Sequence, residues 1–220
     1  MISKSRVEAV FVATCEIAVN PLYGRHQRRF EDADFAALRR SIAATSKNIA
    51  PALIRRTSDG ARELVYGGRR LQACEELGLQ LFAVEYQALT LAEAFAWMLS
   101  DARQNWSLFE IGTSVRLALD GGLFPSQRRL ALACGLEQRF IGDSMGFVQL
   151  PDSVLSLFPN VTTVSTVFAR RLTRALNEDP EALLAKARQC AARMKTARNV
   201  VDYLCPRKES RFTHRNFPRK

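Results

Sequence analysis

The stretch ELVYGGRRLQACEELGL, residues 63–79, decides the fold of the N-terminal half because it joins a short apolar strand to a helix. Gly67 and Gly68 at the junction allow close approach of the backbone. The first turn of a helix carries unpaired N–H groups and a partial positive charge, to which Arg69 and Arg70 add forked, charge-assisted donors. The junction therefore predicts an anion site, and phosphate is the simplest candidate.

Two observations limit this prediction. No GxxxxGK[ST] motif occurs in the 220 residues, so the junction is not a Walker loop. From these residues alone, the alternative is a tight strand-to-helix turn whose arginines pair with Glu75, Glu76 or solvent.

Gly78 follows the helix and predicts a left-handed cap at its end.

The positive charge of the chain is concentrated near the C-terminus. The formal net charge is +10, and residues 185–220 carry eleven Lys or Arg against Asp202 and Glu209. Such a segment suits a polyanion, because each neutralised phosphate releases counterions, although a solvated tail is the alternative. Five scattered cysteines without CxxC spacing predict reduced thiols in the cytosol. The sequence contains no apolar run of membrane-spanning length and no signal-peptide pattern.

The pattern around the glycine–arginine junction predicts mixed α and β structure up to residue 104 and helices after it. Strands are predicted at 15–21, 50–56, 61–66 and 79–87, and helices at 31–45, 68–78 and 90–104. TSDG (57–60) between the second and third strands predicts a hairpin turn or a loop between strands. We therefore divide the chain into an α/β domain (1–104), a helical domain (105–205) and a basic tail (206–220).

The segment PSQRRLALACGLEQRFIGDSMGFVQLP, residues 125–151, predicts two helices joined by a glycine turn. The first helix begins at Pro125 and places Leu130 and Ala133 on its inner face, and Gly135 makes the turn. The second helix carries four inward-facing apolar residues: Phe140, Ile141, Met145 and Val148. Two helices joined in this way have the outline of a helix-turn-helix.

The helices that flank this segment have clear start signals. Thr90 is expected to cap one helix, and Ser107 with Glu110 predicts a capping box on the next. After Pro151 we predict two further helices, near 163–177 and 180–204.

Several motifs in a fixed order resemble those of a known family. The chain carries NPLYGR (20–25), then LRRSI and APALIR, then ELVYGGRRLQAC (63–74), then RQNWSLFEIG (103–112), and then the helix pair ending in QLP. In this order and spacing, residues 15–175 resemble ParB, the plasmid and chromosome partition family. NWSLFEIG and QLPDSVLSLFPNV are most similar to its plasmid branch.

The resemblance implies a fold class and a function. It implies an α/β N-terminal domain of the ParB and sulfiredoxin type, followed by an all-α domain with a helix-turn-helix. It further implies that the first domain binds CTP, with or without Mg²⁺, and that the second reads an inverted repeat in double-stranded DNA. CTP would close two chains of a homodimer into a sliding clamp, and a ParA-type ATPase would move the complex. The expected location is cytoplasmic, on the nucleoid or a plasmid.

The resemblance also assigns residues to the nucleotide. By position these are Arg25, Gly67, Gly68, Arg69, Arg70 and Arg103. The family's usual GERR is GGRR here, so Gly68 removes a carboxylate, and its ENxxR box has Leu99 and Ser100 at the matching positions. Leucine cannot ligate Mg²⁺, and Asp101 stands two positions after the acidic one. We therefore assign no catalytic residue and no metal ligand, and expect at most weak CTP hydrolysis.

Four residues are candidates for DNA contacts. Gln138 and Arg139 stand near the start of the second helix of the helix-turn-helix, where Arg suits guanine and Gln suits adenine. Arg128 and Arg129 on the first helix are expected to contact phosphates. Gly142 weakens the second helix by about 1 kcal/mol relative to Ala.

Two alternatives belong to other functional classes. One is an enzyme on the same N-terminal fold, such as a sulfiredoxin, a small-molecule kinase or a nuclease; sulfiredoxin chemistry would need a reactive cysteine, and Cys74 lies one turn after Arg70. The other is a helix-turn-helix repressor with a degenerate nucleotide pocket.

Overall fold

The computed structural model describes residues 7–23, 32–190 and 195–206. The chain divides into two compact units, Met1–Gln149 and Leu150–Lys220. The first unit therefore contains both the mixed α/β part and the helices that follow it up to Gln149. The functional division at residues 104 and 205 follows the motifs and stays a prediction, and residues 207–220 of the predicted basic tail lie outside the description.

A five-stranded mixed sheet organises the first unit. Its strands are β1 (Val7–Val12), β2 (Ile17–Val19), β3 (Ala52–Arg56), β4 (Arg62–Tyr66) and β5 (Leu81–Tyr86). They lie in the order β1-β5-β3-β4-β2. The β1–β5 and β3–β4 pairs are antiparallel, whereas β3–β5 and β2–β4 are parallel. The antiparallel β3–β4 pair is the hairpin expected around the TSDG turn.

The edge strand β1 is absent from the sequence-based prediction. Its apolar run is interrupted by Glu8, and one face is open, with Val7 and Phe11 about half exposed. Phe11 stacks on Phe82 of the neighbouring strand, with ring centroids 5.1 Å apart. Because only the last residue, Val12, is fully buried, the segment lacks the strong apolar signal of an inner strand.

Among the residues of this unit that the structure describes, six α-helices cover the two faces of the sheet and extend beyond it. They are α1 (Ala33–Thr45), α2 (Gly68–Glu76), α3 (Leu91–Asn105), α4 (Leu108–Asp120), α5 (Gln127–Ala133) and α6 (Gln138–Val148). The helices α1 and α2 share one core with the sheet, which includes Phe35, Ile54 and Cys74. The helices α3–α6 share the other, which reaches from Leu53 on β3 to Ile141 on α6.

The predicted signals for the starts of α3 and α4 and for the end of α2 are confirmed. Thr90 with Glu93, and Ser107 with Glu110, form complete capping boxes at the starts of α3 and α4. Gly78 adopts a left-handed conformation, with φ of 64°, just after α2. Each of these signals acts within four residues, which explains why sequence alone locates them.

The first helix of the predicted helix-turn-helix differs in detail from the expectation. It begins at Gln127 rather than Pro125, because the Ser126 side chain accepts a hydrogen bond from the backbone N–H of Arg129. Ala133, expected on the inner face, is exposed, and buried Ala131 and Cys134 take the inner face with Leu130.

The turn and the second helix agree with the prediction. Gly135 makes the turn in a left-handed conformation, with φ of 63°. On α6, Ile141, Met145 and Val148 are buried, and Phe140 is partly buried.

The second compact unit is helical. Its helices are α7 (Asp152–Leu155), α8 (Thr166–Glu178), α9 (Pro180–Gln189) and α10 (Ala197–Leu204). The single helix predicted over 180–204 is wrong, because α9 ends at Gln189 and Thr196 caps a new helix by accepting from the Asn199 N–H. No helix within the described residues has both the length and the apolar content needed to cross a bilayer.

Candidate functional site

Gly67 shapes the start of α2 at the glycine–arginine junction. It has φ of 101°, which is left-handed, and its carbonyl accepts hydrogen bonds from the N–H groups of Arg70 and Leu71. A Cβ on Gly67 would lie 2.7 Å from the Cβ of Ala52 on β3. Both the backbone conformation and the close approach therefore require glycine. This N-cap has no side chain to accept from the first turn of α2.

Gly68 is required for a different reason. A Cβ there would overlap the hydroxyl oxygen of Tyr23 and lie 2.9 Å from its Cζ. The Tyr23 ring is held in place by an edge-on contact with Trp106, with centroids 4.9 Å apart. Tyr23 therefore occupies the space that a side chain at position 68 would need. Sequence reasoning missed this contact because its partners are far apart in the chain.

Arg69 is engaged by a carboxylate. Its guanidinium donates to both oxygens of Asp32, at 2.6 and 3.2 Å, and lies 5.8 Å from the ring centroid of Phe35. The alternative pairing with Glu76 is not adopted, since Glu76 pairs instead with Arg39 of α1 at 2.9 Å. Arg69 therefore already has an anionic partner of the kind that suits its forked donors.

Arg70 reaches the carboxyl-terminal end of the loop before β3. It donates to the backbone carbonyl of Pro51 at 2.9 Å. Nearby Tyr66 reports the local charges: burial raises the pKa of its phenol, the Asp101 carboxylate raises it further, and the Arg70 guanidinium lowers it. Asp101 of α3 and Arg70 of α2 thus act on the same phenol. Of the three motifs that the resemblance assigns to the nucleotide, this places the third (99–112) beside the second (the glycine–arginine junction); the first is NPLYGR.

The first motif is anchored by an ion-pair network. Asn20 accepts from the N–H of Leu22 and donates to Glu63 of β4, both at 2.9 Å. Arg55 donates to the other Glu63 oxygen at 2.7 Å and to the carbonyl of Leu89 at 3.1 Å. Together with the Tyr23 contacts, these bonds bring residues 20–23, the described part of NPLYGR, to the start of α2.

The remaining predicted nucleotide residues are only partly located. Arg25 lies outside the described residues, and Arg103 falls in α3, with its side chain outside the description. Leu99 is fully buried in the core and cannot face a ligand, whereas Ser100 and Asp101 are exposed. Within the described ranges, no three His, Cys, Asp or Glu side chains come together in a way that could hold a metal ion.

Cys74 does not have the surroundings of a reactive thiol. It is completely buried in α2, and its sulfur lies 3.7 Å from the Oδ1 atom of Asn48. Burial raises the pKa of the thiol. A thiolate nucleophile is therefore disfavoured at this position, which argues against the sulfiredoxin alternative.

The α5–α6 segment presents the four predicted DNA residues on its surface. Arg128, Arg129, Gln138 and Arg139 are all exposed. None of them has a hydrogen bond or ion pair to another part of the chain that the structure describes. Exposed guanidinium groups of this kind are free to contact phosphates or base edges.

Helix α4 fixes the orientation of α6. A Cβ at Gly112 would overlap the carbonyl oxygen of Ser144 and lie 2.8 Å from a methyl group of Val148. The two helices therefore approach at backbone distance. This contact sets which face of α6 is buried and which is exposed.

Comparisons with known proteins identify the fold. No family model and no curated protein sequence matches the chain. A C-terminally truncated ParB from Caulobacter crescentus, a chromosome-partitioning protein complexed to the centromeric parS site, is 21% identical with a TM-score of 0.50. The alignment covers 87% of this chain and 96% of that one.

Two structures of a pNOB8-like ParB N-domain are also similar. They are 12% and 13% identical, with TM-scores of 0.53 and 0.50. Each covers 91% of this chain, and the matches span 94% and 89% of those chains. The chain therefore has the fold of ParB proteins, an α/β domain combined with helices.

Proposed function

We propose that this chain is a ParB-family partition protein that binds CTP at the start of α2 and specific DNA through α5 and α6. The observation that carries the nucleotide part is the geometry at Gly67. Its left-handed turn opens α2 without a side-chain cap, and Arg69 and Arg70 stand in the first turn. In the proposed complex, the backbone N–H groups of this turn, the helix dipole and the two guanidinium groups bind one triphosphate.

The arrangement of the three motifs supports the same proposal. Tyr23, Gly68 and Trp106 are in contact, and Arg70 and Asp101 both act on Tyr66. Segments that are separate in the chain thus surround one helix start. We infer that Arg25 and Arg103, which belong to the outer two motifs, complete the nucleotide site.

The DNA part of the proposal rests on the exposed polar face of α5 and α6. In the proposed complex, α6 enters the major groove, Gln138 and Arg139 read bases, and Arg128 and Arg129 contact phosphates. The Caulobacter neighbour is complexed to its centromeric parS site, which makes a centromere-type inverted repeat the first target to test. A homodimer, a ParA-type ATPase and a nucleoid or plasmid location complete the proposal.

The experiment that tests the proposal is a nucleotide titration of the full chain, with and without duplex DNA. Saturable binding of CTP in preference to ATP is the expected result, with Mg²⁺ varied separately. Turnover of ATP would instead favour an enzyme on this fold. The DNA should come from an unbiased binding selection, because recovery of an inverted repeat would establish both specificity and two-fold assembly.

One observation favours a second candidate, a helix-turn-helix repressor with a degenerate pocket. Arg69 and Arg70 both have protein partners, Asp32 and the Pro51 carbonyl. A chain that has lost nucleotide binding could keep its arginines in such internal bonds. Specific DNA binding without affinity for any nucleotide would support this candidate.

A further inference from the structure

Asp32 links two helices at the edge of the candidate site. As the N-cap of α1, its Oδ1 atom accepts from the backbone N–H of Phe35 at 2.7 Å. The same carboxylate accepts from two nitrogens of Arg69, at 2.6 and 3.2 Å. The start of α1 and the first turn of α2 therefore share one carboxylate.

The bond that Arg69 makes to Asp32 has the geometry of a bond to phosphate. A guanidinium binds carboxylates and phosphates through the same pair of parallel N–H donors. We propose that Asp32 is a built-in competitor, which holds Arg69 until a phosphate group of the nucleotide takes its place. This inference rests on the proposed function, because it requires Arg69 to bind the nucleotide.

The Arg69–Asp32 pair is exposed enough for Arg69 to exchange the carboxylate for a phosphate. The side chains of Arg69 and Asp32 are 19% and 32% exposed. The side chains of the Arg55–Glu63 pair are less exposed, at 10% and 13%, and make further hydrogen bonds to Asn20 and to the Leu89 carbonyl, as is typical of a structural ion pair. Water can solvate Asp32 when it leaves Arg69, so the exchange does not strand a buried charge.

The exchange also connects the nucleotide to α1. Phe35 is 4% exposed, receives the cap bond from Asp32 and lies beneath the Arg69 guanidinium. Release of Arg69 therefore changes the charge beside the first turn of α1. We expect the backbone signals of α1 near Phe35 to respond to the nucleotide even though this helix does not carry any of the family's three nucleotide motifs.

The test is the variant Asp32→Asn, titrated with CTP beside the wild-type chain. Asn caps a helix about as well as Asp, so the variant keeps the cap of α1 and removes the carboxylate charge that faces Arg69. We expect the dissociation constant for CTP to fall by about threefold to fivefold at low salt, the size of one partly exposed charge interaction. A melting temperature close to that of the wild type would verify folding.

Two controls make the result specific. Glu76→Gln removes one carboxylate from the neighbouring α1–α2 pair with Arg39, whose side chains are 32% and 51% exposed. It should leave CTP affinity unchanged. Asp32→Asn should also have no effect on CTP affinity when it is combined with Arg69→Ala, because the group for which it competes is then absent.

The outcomes distinguish a failure of the competitor role of Asp32 from a failure of the proposed CTP binding. If the wild type binds CTP and Asp32→Asn binds equally or more weakly, the competitor role is overturned and the proposed function stands. If neither chain binds any nucleotide at millimolar concentration, both proposals fail. If Asp32→Asn binds CTP where the wild type does not, the competitor role is supported in its strongest form.

Discussion

Arginines lie near the starts of both α2 and α6, but those at α2 are bonded to other parts of the protein and those near α6 are exposed. At α2, Arg69 and Arg70 are held by Asp32 and by the Pro51 carbonyl. Near the start of α6, Arg139 is exposed, and Arg128 and Arg129 of α5 are also exposed, all three without ion pairs in the described chain.

This difference separates two ways in which arginine binds an anion. A held guanidinium is already oriented, so it selects for shape and must exchange one partner for another. A free guanidinium acts mainly through charge, so its contribution falls steeply as salt screens it. The first suits a small ligand with fixed geometry, and the second suits a long polyanion.

The largest expected effect follows from removing both held arginines. In Arg69→Ala with Arg70→Ala, the affinity for CTP should fall by about 100-fold or more, because each hydrogen bond to a charged group contributes about 1.5–3 kcal/mol. Isothermal titration calorimetry measures this directly. Arg39→Ala removes an exposed arginine from α1 and should bind CTP like the wild type. An equal loss of CTP affinity in this control would show that the effect comes from net charge rather than from a specific site.

Removing the free arginines should act on DNA in a salt-dependent way. Arg128→Ala with Arg129→Ala should weaken DNA binding about tenfold and lower the slope of log affinity against log salt by about 2, roughly one for each phosphate contact. Fluorescence anisotropy over a salt series gives both quantities. Arg40→Ala, on the exposed surface of α1, is the control, and an unchanged slope in the double variant would contradict a phosphate role.

The glycines of the two helices should respond oppositely to alanine. Gly68→Ala introduces a Cβ that overlaps Tyr23, and should destabilise the first unit by about 1–3 kcal/mol. At Gly142 of α6 the new Cβ would have no atom within 4 Å apart from its chain neighbours and the backbone of its own helix, so Gly142→Ala should stabilise by about 1 kcal/mol. Urea unfolding of both variants checks the signs, and stabilisation by Gly68→Ala would show that Tyr23 does not occupy that space.

The smallest effect concerns a buried thiol at the end of α5. Burial raises the pKa of Cys134 from 9.0 to about 12. The unfolded chain loses this proton first as the pH rises, so the stability that the protonated thiol supports is lost above pH 9. From pH 8 to 9.5, the free energy of unfolding should fall by about 0.8 kcal/mol more in the wild type than in Cys134→Ala. Equal slopes for the two chains would contradict the burial of this thiol in the folded state.

Local signals in the sequence predicted much of the fold. The capping boxes at Thr90 and Ser107, the hairpin before α2 and the glycine turn at Gly135 all depend on residues within a few positions of one another. Ala133, predicted to be buried but exposed, shows the limit of such patterns. In a helix of only seven residues, packing against neighbouring helices determines which face is buried.

The parts that escaped prediction depend on contacts between distant residues. Tyr23 meets Gly68 and Trp106, and Asp32 meets Arg69, through tertiary packing that no local pattern encodes. The strand β1 was missed because an edge strand with one open face carries little apolar periodicity. The glycine–arginine junction was readable from the sequence, whereas the partners that now hold its arginines were not.

The most direct test of the account is to locate the nucleotide on the chain by amide chemical shifts. With ¹⁵N-labelled protein and increasing CTP, we expect the backbone N–H signals of Gly67, Gly68 and Arg69 to shift most and to saturate together, with smaller shifts near Phe35. If CTP saturates the chain while these three signals stay in place, the nucleotide binds elsewhere and the start of α2 is a structural turn.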